Sequence, residues 1–170
     1  MIISESLSLK RSHKNIITDI NFELNTGITS IIGPNGAGKT TLIKCLSGLV
    51  RDFQGDINFK NKNLLSYKYK EIARLRAFAS QSNEVNFPFT VKEIINMGRY
   101  SFSDIINNHD NKKIVDDVMN QFLISHLSKQ NFNTLSGGEK QRVQLARVFA
   151  QIWDVRDGLL FLDEPISALD

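Results

Sequence analysis

The sequence of 170 residues lacks several features that are typical of secreted or membrane-spanning proteins. Its single cysteine, Cys45, excludes an internal disulfide and is typical of a reducing compartment. No run of eighteen apolar residues is present, so no membrane-spanning helix is predicted. The first ten residues, "MIISESLSLK", have neither a basic segment nor a long apolar one and do not predict a signal peptide. We therefore expect any membrane association to depend on a partner.

The charge balance also excludes one class of partner. Lysine and arginine number 21 against 18 acidic residues, and the net charge of +3 is too small and too dispersed to indicate nucleic acid. Hydrophobic residues make up 41% of the chain, and only 3 residues are proline, as in a globular protein. The length predicts a single domain over residues 1–170.

Strand patterns dominate the N-terminal third. The segments "ESLSL", "INFEL" and "GDINF" alternate apolar and polar residues, which is typical of half-buried strands, and "KNKN" after the last of them predicts a turn. "ITSII" is a short apolar run that ends at Gly33 and predicts a buried strand. "AFAS" at residues 77–80 predicts another. "GLLFLDE", close to the C-terminal end, predicts a central parallel strand that takes its neighbours from "ITSII" and "AFAS".

Helical patterns occupy the middle of the chain. An apolar stripe predicts a helix from Lys39 to Leu49. The capping box "TVKE" at 90–93 predicts a helix to about Met97, which Gly98 ends. Residues 85 to 130 are therefore expected to form a helical insert in an α/β domain. Further helices are predicted from the apolar series Ile114, Val118 and Phe122, and from Leu145, Val148, Phe149 and Ile152.

A phosphate-binding loop is the most specific motif. The segment 33–40 fits G-x-x-x-x-G-K-[ST], in which glycines turn backbone N–H groups toward phosphates and the next helix adds its dipole. Lys39 would supply positive charge, and Thr40 a hydroxyl for Mg²⁺. A glycine-rich turn without function is the alternative, but a strand before the loop and a helix after it favour the phosphate site. The predicted nucleotide-binding residues are Gly33, Pro34, Asn35, Gly36, Ala37, Gly38, Lys39, Thr40 and Thr41.

Two neighbouring carboxylates end the last predicted strand. Adjacent strand residues point in opposite directions, so Asp163 can hold Mg²⁺ while Glu164 orients and deprotonates a water molecule. An ordinary Asp-Glu turn before proline is the alternative. Gln81 follows another strand and could reach Mg²⁺ or the attacking water, although a glutamine there is more often a plain surface residue.

A second anion-binding pattern, "LSGGEKQR", lies about a hundred residues after the first. Ser136, Gly137, Gly138 and Glu139 come directly before a predicted helix, where backbone N–H groups stabilise a phosphate. One small chain thus carries two phosphate-binding devices that are far apart in sequence.

Taken together, these motifs resemble a known family over essentially the whole chain. "GPNGAGKTT", Gln81, "LSGGEKQR", "LLFLDEP" and "SALD" follow the order seen in ATP-binding subunits of ABC transporters. The resemblance implies an α/β P-loop NTPase with an N-terminal antiparallel β subdomain and an inserted helical subdomain at about 85–150. It implies ATP and Mg²⁺ as cofactors, and a D-loop at Ser167, Ala168, Leu169 and Asp170. It also implies a head-to-tail dimer in which Ser136 of one copy faces the ATP on the other copy's P-loop.

A finer resemblance concerns cargo. "FPFTVKEIINMGR" and "QRVQLARVFAQIW" look like the ATPase subunits of bacterial haem importers, and importers of ferric siderophores or cobalamin are the alternative. The resemblance implies a permease partner, indirect dependence on a periplasmic or surface haem-binding protein, and a peripheral place on the cytoplasmic face of the inner membrane. Phe87 and Phe89, which flank Pro88, form a candidate apolar contact for the permease; packing within their own domain is the alternative.

The chain also departs from the family pattern. Arg11 stands where an aromatic ring usually stacks on adenine; it is predicted to stack in its place or to be a solvated strand residue, and His13 is a second candidate. Ile166 and Lys140 are milder departures. Family members continue past "SALD" with further strands and a histidine that contacts the γ-phosphate, so the C-terminal part of the core is expected to be missing.

Other function classes remain open alternatives. A truncated remnant that binds nucleotide without transport is one of them. A soluble ABC ATPase of DNA repair or translation is less consistent with the sequence, because neither a second cassette nor a long coiled coil is present. A kinase or a GTPase is disfavoured, because neither class of enzyme requires the segment "LSGGEKQR".

Overall fold

The computed structural model describes residues 1–80 and 87–164. Gln81 and the four D-loop positions, 167–170, lie outside the described residues. The chain divides into two compact units, Met1–Ile72 and Ala73–Asp170. Every helix in the described part is too short or too polar to cross a lipid bilayer.

The first unit contains the strands β1 Ile2–Arg11, β2 Lys14–Leu24, β3 Gln54–Phe59 and β4 Lys62–Asn63. They form an antiparallel sheet of order β2-β1-β3-β4, which confirms the alternating strands. A bulge interrupts β1 at Ser6, which has φ +50°. Because the bulge shifts the alternation of side chains between the two faces of the sheet, Leu7 and Leu9 are buried on the same face as Ile2. Gly55 has φ +86°, and a Cβ there would lie 2.4 Å from the Ser6 carbonyl oxygen, so only glycine fits beside the bulge.

Helix α1, Lys39–Leu46, is shorter than the apolar stripe predicts. Gly48 has φ +73°, the left-handed conformation that commonly ends a helix. Leu49 therefore leaves the stripe and is 49% exposed, whereas Cys45 and Leu46 are buried. A second short helix, α2, spans Tyr69–Ala73. The predicted "KNKN" turn is confirmed, with positive φ at its first two residues.

The strand predicted for "ITSII" is wrong. The segment Ile28–Ile32 belongs to neither described sheet, and Ile28 and Ile32 are 99% and 93% exposed. A buried parallel strand is stabilised by paired neighbours and covering layers rather than by its own sequence. Among the described residues no strand pairs with this segment, so its apolar side chains remain uncovered.

Three helices form the main core of the second unit. Thr90 caps α3, Val91–Met97: its Oγ1 accepts the Glu93 N–H, and the Glu93 carboxylate accepts the Thr90 N–H at 2.7 Å. The predicted capping box is thus confirmed, as is α4, Asn108–Gln121. Helix α5 spans Gly137–Ile152. Their shared core contains Val91, Ile94, Ile95, Val115, Val118, Met119, Ile124, Leu127, Phe132, Leu135, Val143, Ala146 and Ala150.

Helix α5 also packs against a pair of parallel strands. Strands β5, Arg76–Ala79, and β6, Leu159–Leu162, pair in register. Val148 of α5 is buried against Ala77 and Ala79 of β5. Leu145, Val148 and Ile152 of the predicted stripe lie on this strand-facing side, whereas Phe149 packs on Phe122 beside the helical core. The side of α5 that is buried in the helical core was not predicted. In the described sheet β6 has β5 as its single neighbour, so the prediction of a central strand with partners on both edges is wrong here for the same reason as "ITSII".

Candidate functional site

The loop before α1 has the geometry of an anion cradle. Gly36 and Gly38 have φ +79° and +93°, conformations that side chains rarely adopt. A Cβ at Gly38 would lie 2.9 Å from the Ile16 carbonyl oxygen of β2, so glycine also permits this close packing on the sheet. Gly38 precedes α1 and makes no side-chain cap, which leaves the helix N-terminus directed at the loop. Gly33, Pro34, Asn35 and Ala37 complete the loop and are exposed.

Lys39 lies across this loop. Its Nζ donates to the carbonyl oxygens of Gly33 at 2.8 Å and Pro34 at 2.9 Å. These bonds hold an ammonium group beside the backbone that would surround a phosphate. Thr40 and Thr41 follow in the first turn of α1 and are half-buried. The cradle thus combines glycine backbone, a helix N-terminus and one cation, which together favour a polyphosphate.

Asp163 and Glu164 follow β6 directly and face different surroundings. Asp163 is buried, and its N–H donates to the Ala79 carbonyl oxygen at 3.0 Å. Glu164 is exposed and has φ +48°, an uncommon conformation for a residue other than glycine. The turn therefore directs one carboxylate inward and one outward, as the sequence predicts for two separate tasks.

A capping box organises the second anion pattern. Ser136 Oγ accepts the Glu139 N–H, while the Glu139 carboxylate accepts the Ser136 Oγ–H at 2.6 Å and the Ser136 N–H at 2.8 Å. Hydrogen bonds from the Ser136 side chain and backbone lower the pKa of Glu139. Gly137 and Gly138 have open space where a Cβ would be. The sequence contains the signal for this box, S-x-x-E, the same pattern that was recognised at Thr90.

Arg11 lies at the end of β1 and pairs with a residue that the sequence analysis did not consider. Its Nη1 lies 3.2 Å from Asp52 Oδ2, and its Nη2 donates to Asp52 Oδ1 at 3.3 Å. Both side chains are more than half exposed. These two contacts with Asp52 orient the guanidinium plane of Arg11 at the tip of the β1–β2 hairpin. Ile16 of the same hairpin packs on the phosphate loop.

The predicted residues are distributed over both units. The phosphate loop and Arg11 belong to the first, and Ser136–Glu139 with Asp163 and Glu164 belong to the second. Thr40 and Asp163 each carry an oxygen donor of the hard type that Mg²⁺ prefers. Within the described residues, no group of three histidine, cysteine or acidic side chains is placed to hold a metal ion. Gln81, Ser167, Ala168, Leu169 and Asp170 lie outside the description.

Comparison with known proteins identifies the family. The family model described as ABC transporter matches residues 17–167. The chain belongs to this family. Its fold is accordingly that of the ABC ATPases, a P-loop NTPase with mixed α/β structure and an antiparallel β subdomain.

Two curated relatives of this ABC family member carry the same name. Hemin import ATP-binding protein HmuV of Methylobacillus flagellatus is 41% identical over 92% of this chain and 60% of its own length. HmuV of Pseudoalteromonas translucida is 37% identical over the whole chain and 67% of its own length. The chain spans about 60–67% of the length of these relatives.

Solved structures agree on the fold. A structure described as a metal-chelate type ABC transporter in an inward-facing conformation is 30% identical, with a TM-score of 0.77 over 99% of this chain and 61% of its own. The cbiO1 subunit from Clostridium perfringens, part of the cbiONQ transporter complex, is 29% identical with a TM-score of 0.80 over 99% of this chain and 67% of its own.

Proposed function

We propose that the chain forms an ABC-type ATP-binding domain that energises a haem importer by binding and hydrolysing ATP. The observation that carries the proposal is the phosphate loop, in which Lys39 Nζ is held beside the backbone of Gly33 and Pro34. The HmuV relatives support haem as the cargo. The metal-chelate transporter supports the broader class of iron-complex or cobalamin importers, which is the second candidate.

In this proposal the two anion sites act on one ATP from two copies of the chain. The phosphate loop of one copy binds the triphosphate, and the N–H groups at Ser136–Gly138 of the other copy stabilise the γ-phosphate. Thr40, Asp163 and Gln81 would hold Mg²⁺, which when bound supplies positive charge against the phosphate oxygens. Exposed Glu164 accepts a proton from the attacking water. The D-loop, Ser167–Asp170, would lie at the same interface between copies.

The proposed partners follow from this role. A permease in the inner membrane would receive the conformational change, and a haem-binding protein outside would deliver the cargo to the permease. The ATPase itself would lie peripherally on the cytoplasmic face, without nucleic acid. Two similar sites on a head-to-tail pair would close together on ATP and reopen after hydrolysis.

Growth on haem as the sole iron source tests the cargo. A strain without the gene should fail to grow on haem and recover with the wild-type gene. It should stay deficient with Lys39→Ala and recover with Lys44→Ala, a matched lysine of α1 outside the loop. Normal growth of the deleted strain on haem, together with a need for the gene when a ferric siderophore is the iron source or when external cobalamin must be taken up, would favour the second candidate.

Arg11 is proposed to stack on the adenine ring, because Asp52 holds its guanidinium plane in place. Arg11→Ala should weaken ATP binding about two- to fivefold, the range for a cation over an exposed ring, and Arg11→Tyr should restore it. Equilibrium titration with ATP provides the measurement. Lys10→Ala removes the same charge from the neighbouring residue and should have no effect. Equal affinity in Arg11→Ala and Lys10→Ala would assign Arg11 to the solvated strand.

Phe87 is proposed to contact the permease, whereas Phe89 belongs to the core of its own unit. The Phe87 side chain is 68% exposed, and Phe89 packs against the helical core with its ring centroid 6.1 Å from that of Phe87. Phe87→Ala should reduce haem transport while basal ATP hydrolysis and the melting temperature stay unchanged. Phe89→Ala should instead cost about 1–3 kcal/mol of stability, because it empties a partly buried site. Full transport by Phe87→Ala would mean that Phe87 is not a contact that the permease requires.

A further inference from the structure

The first turn of α5 contributes no fully buried side chain of its own. The buried residues of α5 begin at Val143, six positions after its start at Gly137. Gly137 and Gly138 have no neighbour within 4 Å of a Cβ position, and the Ser136–Glu139 capping box is internal to the helix end. Leu135, directly before Ser136, and Val143 are buried in the core of the three helices, so the direction in which this end points depends on how α5 is seated in that core.

A buried arginine holds that half. Arg99 follows α3 and is 2% exposed. Its Nε donates to Asn111 Oδ1 in α4 at 2.9 Å, and its Nη1 donates to the Ala150 carbonyl oxygen in the last turn of α5 at 2.7 Å. Both Nη atoms donate to Asp154, just past α5, at 2.8 and 3.1 Å. The planar guanidinium thus joins all three helices at one point, which a lysine cannot reproduce.

The strand side of the same turn carries a second tether. Gln151 Nε2 donates to the carbonyl oxygens of Ala73 at 2.7 Å and Arg76 at 3.0 Å, next to β5. The last turn of α5 is therefore fixed on two sides, by Arg99 toward the helices and by Gln151 toward the strand. If the first tether is lost, α5 keeps its apolar contacts in the helical core and the Gln151 tether, about which a small tilt becomes possible.

We propose that Arg99 is a positioning residue for the Ser136 anion site at the opposite end of α5. The 16 residues of α5 span about 24 Å, so a tilt of about 5° at the last turn displaces the first turn by about 2 Å. Hydrogen bonds to a phosphate do not tolerate such a shift, and misplacement by about 1 Å can reduce a rate about 100-fold. The proposal rests on the proposed function for the role of Ser136, but its geometric part does not.

Distance measurement between two spin labels tests the geometric part in the full-length protein without nucleotide. Labels at Asp117→Cys and Arg142→Cys, both exposed, report the position of the N-terminal half of α5 relative to α4. Cys45 is fully buried, and burial raises the pKa of its thiol to about 11, so it should not take up label. Arg99→Lys should shift or broaden the distance by about 1 Å, because Arg142 lies about 14 Å along α5 from the last turn and a tilt of about 5° there produces that displacement.

The matched control is Arg74→Lys. Arg74 also joins a backbone carbonyl, of Ser101, and a carboxylate, of Asp104, but neither partner lies on α5. This variant should leave the label distance unchanged and turnover within about twofold of wild type, since α5 keeps its direction. In the assembled transporter Arg99→Lys should lower kcat about 10-fold or more, whereas ATP binding to the monomeric chain should be unchanged, since the phosphate loop is untouched.

Four results separate the possibilities. An unchanged label distance in folded Arg99→Lys, or an equal change in Arg74→Lys, would overturn the proposal. If Arg99→Lys does not fold, Asp154→Asn takes its place: it keeps an acceptor but loses the charge, and an unchanged distance there would overturn the proposal as well. A shifted distance in a protein whose Lys39→Ala variant hydrolyses ATP normally would leave the positioning intact and refute the proposed function.

Discussion

Glu164→Gln is expected to lower ATP hydrolysis about 10²–10⁴-fold, the usual effect of removing a general base. The variant should still bind ATP, because the phosphate loop is unchanged, and should accumulate a nucleotide-bound dimer. Glutamine has nearly the same shape as glutamate and can occupy the same turn at φ +48°. Single-turnover hydrolysis in the assembled transporter, together with size-exclusion chromatography in ATP, measures both effects.

Asp157→Asn is the matched control for Glu164→Gln. It converts another exposed carboxylate with positive φ to an amide, in the turn before β6 and away from the strand's end. Its turnover should equal that of the wild type. If Glu164→Gln also hydrolyses ATP at a near-normal rate, Glu164 is not the base.

Lys39→Ala should reduce ATP affinity itself, about 10- to 150-fold, because charged hydrogen bonds contribute about 1.5–3 kcal/mol each. The variant removes the ammonium group from the phosphates and also its two bonds to the loop carbonyls. Calorimetric titration with ATP gives the affinity. Lys44→Ala, one turn further along α1, should bind ATP like the wild type. A change of less than twofold in Lys39→Ala would contradict the assignment of the loop.

Local signals were sufficient to predict the elements whose stability is local. The Thr90 capping box fixes the start of α3 through two reciprocal hydrogen bonds, and the sequence contains both partners. The phosphate loop is equally self-contained, because its glycines and Lys39 lie within seven residues. The same pattern in "SGGE" predicts the Ser136 capping box. In the sequence analysis these four residues were considered only as an anion-binding site, and their capping of α5 was not predicted.

Other features depend on residues that are distant in sequence. The apolar run Ile28–Ile32 predicts a strand, but a parallel strand forms only where neighbours pair with it. The pairing of Arg11 with Asp52 joins residues 41 apart, and Arg99 with Asp154 joins residues 55 apart. Neither is visible as a periodic pattern. Helix α5 has two buried sides, whereas a single apolar stripe predicts one.

The central claim is that each ATP lies between the phosphate loop of one copy and the Ser136 site of another. Two inactive chains test it: one with Lys39→Ala, and one with Ser136→Arg, each also carrying Glu164→Gln so that bound ATP is retained. Complexes that contain one copy of each are purified through two different tags, and the ATP retained per complex is counted.

The shared-site account predicts recovery in the mixed complex. One of its two sites then combines an intact phosphate loop with an intact Ser136, so it should retain about half the ATP of the Glu164→Gln dimer, as the symmetry of a two-site dimer requires. Complexes of either variant alone should retain almost none. Equally low retention in the mixed complex would mean that both elements act on the same chain's ATP, and it would contradict the account.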